Sequence, residues 1–257
     1  MPKTCVGSIR KADTIYRDER GFDDSLKINI DFEKVEFVKT LRSSEASSIF
    51  HINYYGKARV LKVFHNNRDP GYASDRIRDL NRSRCEIRAY CRLKQFGICD
   101  TGFVPQFYGF AVDINPANCA PHLDAFQQDV NPPCAVLIEY LSRPQLLDCV
   151  TYTPERLQKA VIGLQRIHSA RVEHNDPYPK NIMIVPGDPE RVVWIDFDTA
   201  IVLPENGSIG GKEHQRIEFE TAVLKVSGNC LKKTRKKASH PIPSSTRKLL
   251  LRRRRKL

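Results

Sequence analysis

Hydrophobic and polar positions form short, strand-like runs in the first quarter of the chain. KVEFVKTL at 34–41 and SIFHINYYGKARVLKVF at 48–64 are rich in β-branched and aromatic residues, as strands are. The second run contains Tyr55-Gly56-Lys57, where glycine gives the backbone freedom that a tight hairpin turn needs. The pattern predicts three consecutive antiparallel strands.

Farther along, apolar residues recur every three or four positions, which is the period of an α-helix. Ser74 or Asp75 can cap the first of these segments, and Gly97 marks its end. The period predicts helices at 74–96, 154–170 and 213–226.

Four more apolar runs have the length of strands. FVPQFYGFAV at 103–112 and CAVLIEYL at 134–141 are separated by a long segment rich in Pro, Asn and Asp, which predicts a surface loop. IMIV at 182–185 and RVVWIDFD at 191–198 flank a Pro-Gly-Asp-Pro turn and predict a hairpin. The order of elements predicts an α+β fold with a sheet-rich N-terminal lobe.

The formal charge of +12 is confined to one end of the chain. Residues 232–257 hold twelve Lys or Arg and no acid, so the preceding residues carry thirty charges of each sign. The tail resembles a bipartite nuclear-import signal, and it could also bind an import receptor, nucleic acid or anionic lipid nonspecifically. A solvated, disordered tail without a dedicated role is the alternative.

Targeting signals and cysteine spacing exclude several classes of protein. No run approaches the ~20 apolar residues of a membrane span, and the N-terminus lacks the apolar segment of a secretory signal. The eight cysteines include no C-x-x-C pair, which argues against a zinc ribbon or a redox dithiol. We expect a soluble, intracellular protein, cytoplasmic or nuclear, with reduced and mostly buried thiols.

Three polar residues stand at the ends of apolar segments in the second half. HNDPYPKN contains Asp176 and Asn181, and the predicted hairpin ends at Asp196. Phosphoryl transfer needs an acidic oxygen and an amide oxygen for Mg²⁺, together with a carboxylate aimed at the attacking hydroxyl. These residue types indicate a phosphoryl-transfer site.

The motifs resemble those of the protein kinase-like superfamily. HNDPYPKN keeps the His, Asp and Asn of the H-R-D-x-x-x-x-N catalytic loop at their spacing, and DFD at 196–198 stands in the place of D-F-G. The resemblance implies that Asp176 is the catalytic base and that Asn181 and Asp196 bind Mg²⁺. It assigns packing roles to the histidine and the phenylalanine.

The resemblance extends upstream. RVLKVF looks like the V-A-I-K strand, so that Lys62 would hold the α- and β-phosphates while paired to Glu86 on the long helix. LIEYL looks like the hinge that meets adenine. The resemblance implies ATP and Mg²⁺ as cofactors, with ATP contacts from Ile49, Val60, Lys62, Glu86, Ile138, Glu139 and Leu141.

Each motif taken alone has an ordinary structural explanation. Lys62 has the character of a solvated strand lysine, Glu86 fits a charged helix face, and Asp176 before proline is a common turn opener. Asp196 fits the exit of a hairpin. It is the ordered succession of motifs over residues 34–200 that favours the kinase-like fold.

The phosphate-covering loop departs from the family pattern G-x-G-x-x-G-x-V. Arg42, Ser44 and Ser47 stand at the three glycine positions. Because side chains there hinder close approach of the backbone to phosphate, the sequence predicts impaired ATP contacts in this loop.

The catalytic segments depart as well. Asn175 replaces the arginine after the histidine, which argues against an activation loop that pairs a phosphate with that arginine. Tyr178 replaces the lysine that steadies the transferring phosphate, and Lys180 is a candidate substitute in catalysis. Asp198 replaces the glycine of D-F-G, where a solvent-facing or helix-capping role is favoured over metal binding.

Only 59 residues follow Asp198, and no A-P-E motif is found. The peptide-docking helices of ordinary protein kinases do not fit this length, and the chain resembles short fungal kinase-like proteins with an abbreviated C-terminal lobe. The expected parts are a partly disordered leader, a kinase-like N-lobe, an abbreviated C-lobe and a basic disordered tail, at 1–32, 33–141, 142–227 and 228–257.

The expected function is that of an ATP- and Mg-dependent phosphotransferase acting on a protein or small-molecule hydroxyl. A small-molecule acceptor is suggested by Asn175, Asp198 and the missing peptide platform. The main alternative is a catalytically weak pseudokinase that serves as a nucleotide-binding scaffold or regulator. A nucleic-acid-binding protein that works through its basic tail is a further alternative.

Overall fold

The computed structural model describes residues 21–205 and 210–239, with side chains through 235. It has a mixed α+β architecture built on a five-stranded antiparallel sheet. The strands of this sheet are Val35–Ser43 (β1), Ser47–Tyr54 (β2), Lys57–Phe64 (β3), Phe107–Ala111 (β4) and Cys134–Glu139 (β5). Their order in the sheet is β1-β2-β3-β5-β4. Tyr55 and Gly56 form the two-residue turn between β2 and β3, with φ of +48° and +70°, as the sequence predicts.

Helix α1 spans Arg82–Gln95 and begins eight residues later than the sequence predicts. Asn81 caps it, and neither Ser74 nor Asp75 does so. The carboxylate of Asp75 instead accepts hydrogen bonds from two backbone amides of its own loop, which is the competition that keeps aspartate out of helices. Gly97, with φ of +70°, ends the helix as predicted.

The second half of the chain contains the other two α-helices of the described residues. Helix α2, Pro154–Ser169, begins with proline at its first turn and is capped by Thr153, which accepts from the Arg156 amide. The predicted hairpin is confirmed as β8, Ile182–Val185, and β9, Arg191–Trp194. Three two-residue strands complete this half, Gln145–Leu146 (β6), Val172–Glu173 (β7) and Ile201–Val202 (β10).

Helix α3 spans Gly211–Ser239 and continues well past the predicted end at 226. It packs on α2, where Leu224 is fully buried and Gly228 lies against the side chain of Leu157. The chain is therefore helical where a disordered tail was expected to begin. The rest of that tail, 240–257, lies outside the described residues, as does 1–20 of the leader.

The described part of the leader packs against the sheet. Phe22 is buried with its ring 5.1 Å from that of Phe110, and the Ile28 amide donates to the Phe110 carbonyl at 2.8 Å. Gly109, with φ of +136°, is needed here because a Cβ would lie 2.7 Å from the side chain of Ile28. Residues 21–32 thus have tertiary contacts beyond the local order that composition suggested.

The sheet separates two hydrophobic clusters. The larger lies on the side of α1 and α2, and the smaller lies beneath the loop between β4 and β5, which contains two short 3₁₀-helices. Four of the seven cysteines in the described ranges are buried, as expected. Within those ranges no helix is long and apolar enough to span a lipid bilayer.

Candidate functional site

Lys62 joins three elements of the fold. It lies on β3, it is buried, and its Nζ contacts Glu86 Oε2 of α1 at 2.5 Å and Asp196 Oδ1, which follows β9, at 2.6 Å. The sequence predicts the pairing of Lys62 with Glu86, and the structure confirms it. A buried lysine requires such partners, because an unpaired ammonium in the interior would lose its charge.

The protonation of this group follows from burial and charge. Burial acts to lower the pKa of Lys62, but the carboxylates of Glu86 and Asp196 outweigh it and hold the pKa above its usual range. Burial raises the pKa of Glu86 to about 7. For Asp196 burial also acts upward, but the Lys62 ammonium outweighs it and lowers the pKa. The lysine is therefore a fixed positive charge beside an ionised Asp196.

Asp196 has a strained backbone. Its φ is +67°, a left-handed conformation that is rare for residues other than glycine. The preceding residue is held on both sides, since the Ile195 amide donates to the Asn181 carbonyl and His174 Nε2 donates to the Ile195 carbonyl, each at 3.0 Å. Strain of this kind persists only where the surroundings enforce it, and it is concentrated at functional sites.

Asp176 and Asn181 are held together in the loop before β8. The side-chain nitrogen Nδ2 of Asn181 donates to the backbone carbonyl of Asp176 and to its Oδ2, each at 2.9 Å. Lys180 forms an ion pair with the same carboxylate at 2.8 Å, and this contact raises the pKa of Lys180. Lys180 therefore lies beside Asp176, the residue predicted to be the catalytic base. The side-chain amide oxygen of Asn181 takes no part in these contacts and is left for another partner.

Four aromatic rings connect the sheet to this loop. Phe107 stacks on Tyr90, Tyr90 meets Phe197 edge-on, and Phe197 lies 4.8 Å from His174, measured between ring centroids. All four side chains are almost fully buried. Burial lowers the pKa of His174, so the ring is neutral at pH 7. The packing roles that the resemblance implies for His174 and Phe197 agree with these contacts.

Glu220 of α3 fixes the backbone of the same loop. Its carboxylate accepts hydrogen bonds from the backbone amides of His174 and Asn175 and from His168 Nε2 of α2. It is 4% exposed. No sequence motif marks Glu220, and its one signal in the sequence is its position one helical turn before the apolar Leu224.

A cavity of about 650 Å³ opens beside Lys62 and Asp196. Of the predicted site residues, Ile49, Lys62 and Asp196 line it, and the β1–β2 turn forms its other wall. Asp176, Lys180 and Asn181 are not among its lining residues. The cavity has a mixed charge, with cations and carboxylates on facing elements, namely Arg42, Lys62, Arg82, Glu45, Asp196 and Asp198.

The predicted hinge residues and Val60, another predicted ATP contact, are not among the lining residues of this cavity. Val60 and Ile138 are paired neighbours in the sheet, and both are buried. The carboxylate of Glu139 forms an ion pair with Arg191 at 2.6 Å, while Leu141 packs in a separate apolar cluster. The lining of the cavity therefore does not include the adenine contacts that the resemblance implies.

Asp198 differs from its expected role. It is buried and neither caps a helix nor faces solvent, because its Oδ2 accepts from Arg82 Nη1 of α1 at 2.6 Å. The sequence did not identify Arg82 as a site residue. One arginine in a helix that contains four of them carries no sequence signal of its own.

Magnesium requires oxygen donors in an octahedral arrangement. Among residues 21–205 and 210–239, no group of three or more His, Cys, Asp and Glu side chains is placed to bind a metal. The amide oxygen of Asn181 and the carboxylate of Asp196 are donors of the preferred kind. Since Mg²⁺ commonly takes one or two protein ligands and completes its shell with water and phosphate, this donor set fits an ion that arrives with a phosphate ligand.

No protein-family model matches the chain, and no curated protein matches it in sequence.

Proposed function

We propose that the chain is an ATP- and Mg-dependent phosphotransferase with a bilobal protein kinase-like fold. In this proposal the five-stranded sheet and α1 form the N-lobe, and α2, α3 and the β8–β9 hairpin form a short C-lobe. The observation that carries the proposal is the contact of Lys62 with both Glu86 and Asp196. It unites three motifs that are far apart in sequence around one buried charge.

The proposed chemistry assigns one task to each side chain. Lys62 would bind the phosphate chain, and Glu86 would keep its ammonium in place. Asn181 and Asp196 would hold Mg²⁺, which neutralises charge on the phosphate oxygens. Asp176, oriented by the Asn181 amide, would accept the proton of the attacking hydroxyl. The acceptor is a protein or small-molecule alcohol.

Lys180 would add a positive charge beside Asp176. The two side chains are in contact at 2.8 Å, so the ammonium is near the point where the hydroxyl and the transferred phosphate would meet. A lysine in that position favours the developing charge of phosphoryl transfer. This supports its role as a substitute for the lysine that Tyr178 replaces.

A second candidate function is a pseudokinase scaffold with weak or no catalysis. It is favoured by the β1–β2 turn, whose backbone amides at Ala46 and Ser47 donate to the Ser44 hydroxyl and are not free for phosphate.

Both candidate functions include binding of Mg-ATP, but only the phosphotransferase transfers the γ-phosphate. We expect Mg-ATP to raise the melting temperature of the wild-type chain and to have no effect on Asp196→Ala. A phosphotransferase would move the γ-phosphate to an acceptor or to water and lose this activity in Asp176→Asn. Asp100→Asn is a matched control, because it also removes a carboxylate paired with a lysine but lies away from the site.

If the chain binds Mg-ATP but transfers phosphate to none of the protein and small-molecule acceptors tested, the scaffold remains as the function. Absence of Mg-ATP binding in the wild-type chain would reject both.

A further inference from the structure

The side chain of Ser44 closes the turn between β1 and β2 with hydrogen bonds to the backbone of the turn. Ser44 Oγ accepts hydrogen bonds from the amides of Ala46 and Ser47, at 3.3 and 3.2 Å, and donates to the Ser47 carbonyl at 3.1 Å. The Ser44 amide donates to the same carbonyl at 2.9 Å. A phosphate oxygen would need these amides as donors. With these three amides already bonded, side chains become candidate donors for an anion in the adjoining cavity.

Arg82 is placed to provide them. It lines the cavity together with Lys62 and Arg42, and its contact with Asp198 uses Nη1 of a guanidinium that carries five N–H donors. The Arg82 side chain is 53% exposed, whereas that of Asp198 is 11% exposed. The ion pair is thus accessible from the arginine side.

The position of Arg82 in its helix is unfavourable for helix stability. It is the first residue of α1, where the helix dipole disfavours a cation, and no acidic residue occupies the first turn to offset it. An anion bound at this place would be favoured by both the helix terminus and the guanidinium. The N-terminal end of α1 therefore favours an anion beside Arg82, and within the fold Asp198 provides that negative charge.

We propose that Arg82 binds the phosphate chain of a nucleotide in this cleft, and that Asp198 holds its guanidinium in the cavity until phosphate takes the place of the carboxylate. The inference rests on the proposed phosphotransferase function. Arginine side chains would donate the hydrogen bonds to phosphate that backbone amides donate in a glycine-rich loop. Guanidinium matches phosphate in planar, two-bond geometry. Because the guanidinium side of the pair is exposed, a phosphate can reach Arg82 and exchange with Asp198.

Calorimetric titration of the full chain with ATP and with inorganic tripolyphosphate, in the absence of Mg²⁺, tests the exchange. Arg82→Gln should weaken binding of both ligands about tenfold or more, because charge-assisted hydrogen bonds are lost. Asp198→Asn should tighten both by up to about fivefold, because a competing carboxylate is removed. Arg82→Lys should restore part of the affinity.

Arg78→Gln is the matched control. Its side chain is also 53% exposed and forms an ion pair, with Asp75, but it does not line the cavity. Its affinity should equal that of the wild type. Circular dichroism on each variant separates loss of binding from loss of folding.

The outcomes separate this inference from the function on which it rests. If Lys62→Met abolishes binding while Arg82→Gln binds as well as wild type, the role of Arg82 is wrong and the proposed nucleotide site at Lys62 stands. Weaker Mg-free binding by Asp198→Asn would also overturn the exchange. If the wild-type chain binds neither ligand, both proposals fail. Binding of ATP without tripolyphosphate would show that the phosphates are not what Arg82 holds, and would overturn the inference.

Discussion

Replacing Glu220 by alanine would remove a buried carboxylate that ties α3 to the loop carrying Asp176. Three hydrogen bonds would be lost, from the amides of His174 and Asn175 and from His168 Nε2, the last at 2.7 Å. The donors would remain in an interior that the substitution leaves without an acceptor for them. The change therefore combines lost bonds with the penalty for unpaired polar groups.

The expected loss of stability is about 3–5 kcal/mol. Hydrogen bonds to a charged group contribute ~1.5–3 kcal/mol each, but three bonds to one carboxylate are not additive. The measured range for removing one partner of a buried charged pair is ~3–5 kcal/mol. In a chain of this size ~1 kcal/mol corresponds to a shift of ~2–4 °C in melting temperature, so Glu220→Ala should melt about 10 °C lower.

Urea and thermal unfolding, followed by circular dichroism and fluorescence, measure this loss. Glu218→Ala is a matched control, because Glu218 is on the same helix, is 68% exposed, and pairs with His214 one turn away. A double-mutant cycle with His168→Gln isolates the contribution of the histidine contact.

A loss below ~1 kcal/mol for Glu220→Ala, or one equal to that of Glu218→Ala, would refute the reasoning.

Two further substitutions test buried or partly buried polar groups. Tyr90→Phe removes a hydroxyl that has no hydrogen-bond partner among the described residues, so the free energy of unfolding should rise by about 1 kcal/mol, and a fall of that size in urea unfolding would show that the hydroxyl is bonded. Burial acts to raise the pKa of Glu139, but hydrogen bonds from Arg191 and the Gln106 amide outweigh it and lower the pKa. The stability gained from this ionised carboxylate is present above the unfolded-state pKa and lost as pH falls through the lower folded-state pKa. Glu139→Gln should therefore be less stable than wild type by roughly 1 kcal/mol at neutral pH, with a difference that closes in acid, and a constant difference across that range would contradict the assignment.

Strands and the hairpin were predictable because alternation and turn chemistry are local. Tyr55 and Gly56 mark their turn in the sequence itself, and Thr153-Pro154 marks the start of α2 in the same way. The start of α1 was not predictable from periodicity. Apolar residues between Ser74 and Leu80 fit a helical period. The Asp75 carboxylate, however, accepts hydrogen bonds from the Ile77 and Arg78 amides, and this local bonding competes with a helix.

The candidate site was predictable as far as its motifs extend. Lys62, Glu86 and Asp196 were each named from sequence, and they meet at one point. Glu220 and Arg82 were not named, because their roles depend on tertiary contacts made by ordinary charged positions of helices. Periodicity indicates which face of a helix is buried, but it does not indicate that a charge on that face has a partner across the fold.

The chain has one tryptophan, and the fold places it beside the loop that carries Asp176. Trp194 is fully buried, its indole N–H donates to the Ala160 carbonyl at 2.9 Å, and its ring lies 5.1 Å from that of His174. Fluorescence from this single indole therefore reports on the interior behind the loop and on no second location. The wild-type chain can be followed through ligand titration and unfolding by its own emission, without a dye or an introduced label.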